Sequence, residues 1–103
     1  MKVFWSKQAG ITLTSTTSYI KNAFGNEAKI NYIREIQRIT DIIGTNPYAG
    51  PIEPLLLNKR RTYRSIVLTR QNKIIYYINK STIRIAALWD TRREPKKLIE
   101  DFD

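Results

Sequence analysis

The chain has 103 residues, with 18 Lys or Arg against 9 Asp or Glu and a formal charge of +9. It contains no Cys and no His, which excludes disulfides, Cys–His and Ser–His–Asp catalysis, and an ordinary zinc site. A length of this order supports one domain, spanning residues 1–103, with a 42% apolar content sufficient for a single core.

"MKVFW" alternates weakly and reads as a short first strand, after which Ser6 is placed to cap a helix. Ala9, Leu13, Thr16 or Thr17, Ile20 and Phe24 then recur at spacings of three and four, one face of a helix. "FGN" at 24–26 breaks that helix, with Asn26 as the next cap. A second helix carries Ala28, Tyr32, Ile33, Ile36, Ile39 and Ile43 as its apolar stripe, and Gly44 is its expected stop. So short a break folds the two helices into an antiparallel hairpin.

"TNPYAGPIEP" is a connection dense in Pro and Gly, after which the chain turns to β-forming residues. "TYRSIVLT", "KIIYYIN" and "TIRIAALW", joined by "RQN" and "KS", form an antiparallel meander. Alternation places Arg64, Ile66, Leu68 and Arg70 on one face of the first strand. It sets Lys73, Ile75 and Tyr77 against Ile74, Tyr76 and Ile78 in the second. In the third it sets Thr82, Arg84, Ala86 and Leu88 against Ile83, Ile85, Ala87 and Trp89. The expected architecture is α+β: a two-helix hairpin packed on a small antiparallel sheet in the order β-α-α-β-β-β. Apolar residues fall on both sheet faces, so part of the outer face is expected to meet a partner.

No apolar run reaches the ~18 residues of a membrane span, and the first residues lack the apolar stretch of a signal peptide. A cytoplasmic location is expected, with no membrane partner. Nothing in the sequence calls for a cofactor, a metal or a small-molecule substrate.

The charge is unevenly spread. From Glu53 to Asp90 no acid intervenes, while Lys59, Arg60, Arg61, Arg64, Arg70, Lys73, Lys80 and Arg84 all fall between them. Ordinary surfaces mix signs, so this span predicts a basic face for a polyanion or an acidic protein. Lys59, Arg60, Arg61, Arg70 and Arg84 are the candidate nucleic-acid contacts, the first three within "NKRR". "LWDTRREPKKL" then ends a strand by releasing Arg92 and Arg93 before Pro95.

The ordered set "FW", a helical hairpin, "NPYAGP", "YRSIVL", "KIIYYI" and "LWDTRREPKKL" resembles the RelE/ParE superfamily of bacterial toxins. The resemblance covers nearly the whole chain. It implies the toxin of a type II toxin–antitoxin module, causing growth arrest and neutralised by a cognate antitoxin whose flexible segment wraps it. RelE-like members cut messenger RNA on the ribosome; ParE-like members poison DNA gyrase and are not nucleases. Ribosome-dependent cleavage is the first expectation here, gyrase inhibition the alternative, and a non-toxic basic nucleic-acid-binding module a third. The resemblance implies a catalytic set of Arg64, Lys73, Arg92 and Arg93 gathered at one end of the sheet, the arginines clamping phosphate. The sequence departs from the RelE-like pattern at two places. Ile66 stands where a second lysine is expected, and "KKLIEDFD" has no tyrosine.

Overall fold

The computed structural model describes residues 1–102. Its elements are β1 (Lys2–Trp5), α1 (Lys7–Phe24), α2 (Asn26–Thr45), β2 (Arg64–Val67), β3 (Asn72–Asn79), β4 (Thr82–Asp90) and α3 (Pro95–Asp101), with one 3-10 turn at Pro54–Leu56. Ser6 caps α1 as expected, its Oγ accepting from the Ala9 N–H at 3.1 Å. The same hydroxyl donates to the Ala86 carbonyl at 3.1 Å, which ties the start of α1 to β4.

The joint between the helices is Gly25 rather than Asn26. With φ at 99°, Gly25 ends α1 and precedes α2, and Asn26 is already helical. That conformation is cheap only for glycine. α2 also outruns its expected stop and continues through Gly44 to Thr45, where Asn46 caps it. Gly44 serves proximity instead: a Cβ there would touch the Met1 carbonyl oxygen at 3.4 Å and Val3 at 3.6 Å.

The four strands lie in the order β1-β4-β3-β2. The meander β2-β3-β4 is antiparallel as expected. The sheet as a whole is mixed, because β1 joins the far edge of β4 in parallel. The helical hairpin covers one face, where Ala9, Tyr32, Ile36, Ile39 and Ile43 meet Leu68, Ile74, Tyr76, Ile83, Ile85 and Leu88. Ile33 falls outside this core and stays 38% exposed.

Leu88 reaches that core only because β4 is irregular. The register with β3 shifts between Ile75, opposite Ala87, and Tyr76, opposite Ile85. Ala86 is the extra residue of a bulge, and beyond it simple alternation inverts. Leu88 therefore joins Ile83 and Ile85, while Trp89 turns to the other face, contrary to the regular pattern expected from the sequence. On that face Trp89, Ile75, Tyr63 and Leu56 form a second core with Leu98 of α3. Helix α3 was not anticipated. Pro95 starts it, Leu98 is fully buried, and Phe102 packs on Tyr63 with ring centroids 5.0 Å apart. Much of the outer apolar surface expected to meet a partner is thus covered by the chain itself.

The Pro- and Gly-rich connection is strapped to the sheet. The Tyr76 hydroxyl donates to the Pro47 carbonyl at 2.8 Å and accepts from the Gly50 N–H at 2.9 Å. Arg64 Nη1 donates to the Gly50 carbonyl at 2.8 Å. Space at Gly50 is closed, since a Cβ would stand 2.8 Å from both the Ser65 carbonyl and the Tyr76 hydroxyl. Gly50→Ala is expected to destabilise the fold by about 1–3 kcal/mol through overpacking against backbone, read as a lower denaturant midpoint at unchanged slope.

Tyr32 supplies a test of the core under alkali. Its hydroxyl donates to Asn72 Oδ1 at 3.1 Å, and burial pushes its pKa from the ordinary 10.0 up to about 12. The unfolded chain ionises first, so this stabilisation is complete below pH 10 and is lost as pH rises through 12. Denaturant melts across that range should show the native chain losing stability that Tyr32→Phe does not lose. Parallel loss in both would contradict the assignment.

Candidate functional site

Of the four cations expected together, Arg64 is set apart from Lys73, Arg92 and Arg93. Arg64 pairs with Tyr76 across the β2–β3 ladder, so it lies on the helix-hairpin face. Lys73 pairs with Val67 and with Trp89, so it lies on the α3 face near the start of β3. An antiparallel hairpin dictates this, because the start of β2 must meet the later part of β3. Arg92 and Arg93 follow β4 at the Lys73 end. Arg92 folds back on Asp90, with Nε–Oδ1 at 3.0 Å and Nη2–Oδ2 at 2.8 Å. These hydrogen bonds hold the Asp90 carboxyl below its usual range. Arg93 lies over the Trp89 ring, 4.3 Å from its centroid.

Lys73 has a structural partner. Its Nζ donates to Glu53 Oε1 in an ion pair, and Glu53 is 1% exposed. The second carboxylate oxygen accepts from the Leu55 N–H at 3.1 Å. Glu53 is the residue that sequence reading missed: it marked only the edge of the acid-free span. The available signal was its apolar and proline-bound setting in "PIEP".

A different gathering of cations occurs at the β2 edge. Arg61, Thr62, Arg64, Tyr48, Tyr77 and Ile78 line a cleft of about 450 Å³. It opens because β2 begins opposite Tyr76, leaving Tyr77 to Asn79 of β3 without a strand on that side. Both arginines rest on aromatic rings. The Arg61 guanidinium is 4.3 Å from the Tyr77 centroid, and that of Arg64 is 4.8 Å from Tyr48. Such stacking contributes about 0.5–1 kcal/mol at exposed sites and holds the guanidinium plane in place, leaving its edge for an anion.

The basic surface continues across the sheet. Arg84 stands opposite both Tyr77 and Phe4 in register, and its guanidinium lies 4.8 Å from the Phe4 centroid. Arg61, Tyr77, Arg84 and Phe4 thus alternate cation and ring across β3, β4 and β1. Arg60 is exposed and Lys59 half-buried in the loop that carries Arg61. Arg70 stands apart, exposed in the β2–β3 turn.

The cleft is positively charged and carries two guanidinium groups. Arginine does not give up its proton at neutral pH, so Arg61 and Arg64 can clamp but not transfer. Besides the arginines, Tyr48, Thr62 and Tyr77 bring hydroxyls to its lining. Among the described residues, no group of three or more His, Cys, Asp or Glu could hold a metal.

No family model and no curated protein matches the sequence. Solved structures do match by fold. A chromosomal ParDE TA system from P. aeruginosa aligns with a TM-score of 0.71 at 15% identity, covering 87% of this chain and 95% of that one. A YoeB/ParE toxin from Agrobacterium tumefaciens gives 0.59 at 13% identity, covering 87% and 98%. The YoeB dimer from Staphylococcus aureus gives 0.57 at 18% identity, covering 86% and 94%. The chain has the ParE/YoeB toxin fold. This is the fold that the ordered sequence motifs implied, reached at identities where the likeness is one of architecture. A shared fold does not by itself imply a shared function, which has to be argued from the site.

The ion pair at Lys73 is testable apart from function. Lys73→Met leaves Glu53 buried and unpaired and should cost about 3 kcal/mol or more, whereas Lys73→Met with Glu53→Met should recover much of that loss. Equal stability of the single variant and the parent in chemical denaturation would contradict the pairing.

Proposed function

We propose that this chain is the toxin of a type II toxin–antitoxin module, and that it arrests growth by binding its target through the basic cleft rather than by cutting RNA. The observation that carries this reading is the composition of the cleft. Its cations are arginines laid on rings, while Lys73 is committed to Glu53 near the start of β3. A site so composed clamps a negatively charged surface and has no lysine to move a proton. The sequence departures at Ile66 and in "KKLIEDFD" point the same way. DNA gyrase is the target that the ParE-like resemblance implies.

The reading has the chain neutralised by an antitoxin, a partner class supported by the likeness to the YoeB-YefM complex from Staphylococcus aureus (TM-score 0.53, 17% identity). It also places the chain in the cytoplasm. Among the described residues no helix is long and apolar enough to cross a membrane.

One observation favours RNA cleavage as a second reading. Tyr77 sits between Arg61 and Arg84, and Tyr48 lies beside Arg64. A hydroxyl flanked by guanidinium groups has the elements of phosphodiester cleavage. The decisive experiment is inducible expression, with transcript mapping on translating ribosomes and gyrase supercoiling assayed in parallel. The binding reading predicts arrest with intact transcripts and inhibited supercoiling, unchanged in Tyr48→Phe and Tyr77→Phe. Transcripts cut within codons, with cutting lost in Tyr77→Phe, would overturn it in favour of the enzyme. Harmless expression would overturn the toxin reading.

A further inference from the structure

Two neighbouring side chains on adjacent strands hold Gly50 by both of its backbone polar groups. Tyr76 stands opposite Arg64 in the β2–β3 register, so the two lie side by side on the hairpin face. The Tyr76 hydroxyl accepts from the Gly50 N–H at 2.9 Å and donates to the Pro47 carbonyl at 2.8 Å. Arg64 Nη1 donates to the Gly50 carbonyl at 2.8 Å. Between the two gripped residues lies Tyr48, whose ring centroid is 4.8 Å from the Arg64 guanidinium. A local turn, with the Ala49 N–H on the Asn46 carbonyl at 3.0 Å, completes the loop.

The consequence for Arg64 is geometric. Arginine has a long, flexible stem, and a guanidinium without support samples many directions. Here a ring and a carbonyl fix it from two sides, and both supports belong to residues 47–50. The Tyr76 phenol moors those residues to β3. Tyr76 is fully buried, and it does not line the cleft that Arg64 and Tyr48 share. Among the described residues, the ion pairs use Arg38, Lys73, Arg92 and Lys96, and no carboxylate pairs with Arg61 or Arg64. The charge that the loop aims is therefore not neutralised within the described chain.

We propose that Tyr76 is a positioning residue of the basic cleft: its buried hydroxyl sets the loop that aims Arg64, and through Arg64 the affinity of the cleft for an oxyanion. A fork held ready binds more tightly than one that must be ordered on binding, so the hydroxyl acts on affinity without touching the anion. The link to growth arrest rests on the function proposed above, whereas the link to anion affinity does not.

The probe is inorganic phosphate, titrated into the isotope-labelled full chain at constant ionic strength and followed by NMR of the backbone amides and the arginine side chains. The expected shifts in the parent are saturable and centred on Arg61, Thr62 and Arg64. Tyr76→Phe keeps the ring in the core. It should weaken phosphate binding at least about fivefold, the order of effect of one lost hydrogen bond, with the Arg64 side-chain signals moving toward those of a free arginine. Ile83→Val removes a core methyl at a position paired with Val3 and Ile78, away from the loop, and should bind phosphate as the parent does. No saturable shift in the parent, parental affinity in Tyr76→Phe, or an equal loss in Ile83→Val would each overturn the proposal. The parent alone supplies a second test, whether or not the variant folds. Its Gly50 amide should exchange as slowly as the Tyr76 amide, and exchange at the rate of an open loop would overturn the proposal. Weak phosphate binding by Tyr76→Phe with undiminished growth arrest would support the positioning role and remove the cleft as the arresting surface.

Discussion

The bulge at Ala86 is the constraint on which the rest of the molecule depends. β4 has to supply apolar side chains to two cores that lie on opposite faces of one sheet. Without the extra residue, Leu88 would point away from the hairpin and Trp89 would point into it. With it, Ile83, Ile85 and Leu88 all face the helices, and Trp89 faces α3. The bulged carbonyl is also the one that Ser6 Oγ grips. One irregularity therefore ends β1, anchors the start of α1 and leaves the second half of the β4 edge open.

The two edges of the sheet consequently differ in character. At the β2 edge, the late start of β2 exposes Tyr77, and arginines from the preceding loop and from the strand itself settle on tyrosine rings. That edge offers fixed positive charge. At the β1 edge, the early end of β1 exposes backbone, flanked by hydroxyls and by two arginines held on Asp90 and Trp89. That edge leaves part of β4 without a neighbouring strand. Fixed charge at one edge and open backbone at the other are thus separate features, and each can be altered independently.

Elements whose cause is local were legible in the sequence. The Ile36, Ile39 and Ile43 stripe is a matter of spacing, and so is the Ser6 cap. The three β-rich runs with short links allow little besides a meander. What could not be read depends on pairing between distant residues. The bulge leaves no mark on "IRIAALW", and alternation carried through it assigned Leu88 and Trp89 to the wrong faces. Glu53 and Lys73 are twenty residues apart, and only the packed structure makes them a pair. Helix α3 is seven residues long, too short for its periodicity to stand out. The separation of Arg64 from Lys73 follows from antiparallel register, which shared membership of a basic span does not convey.

The central claim is that ring-stacked arginines at the β2 edge, and not positive charge in general, make the contact that arrests growth. Lysine substitutions test this most directly, since they keep charge and remove the planar fork. The measurement is growth arrest on induction of Arg61→Lys with Arg64→Lys, beside Arg92→Lys with Arg93→Lys, at matched protein levels. The account predicts that the first pair abolishes arrest and the second retains it. Full arrest from the first pair, or loss confined to the second, would contradict it.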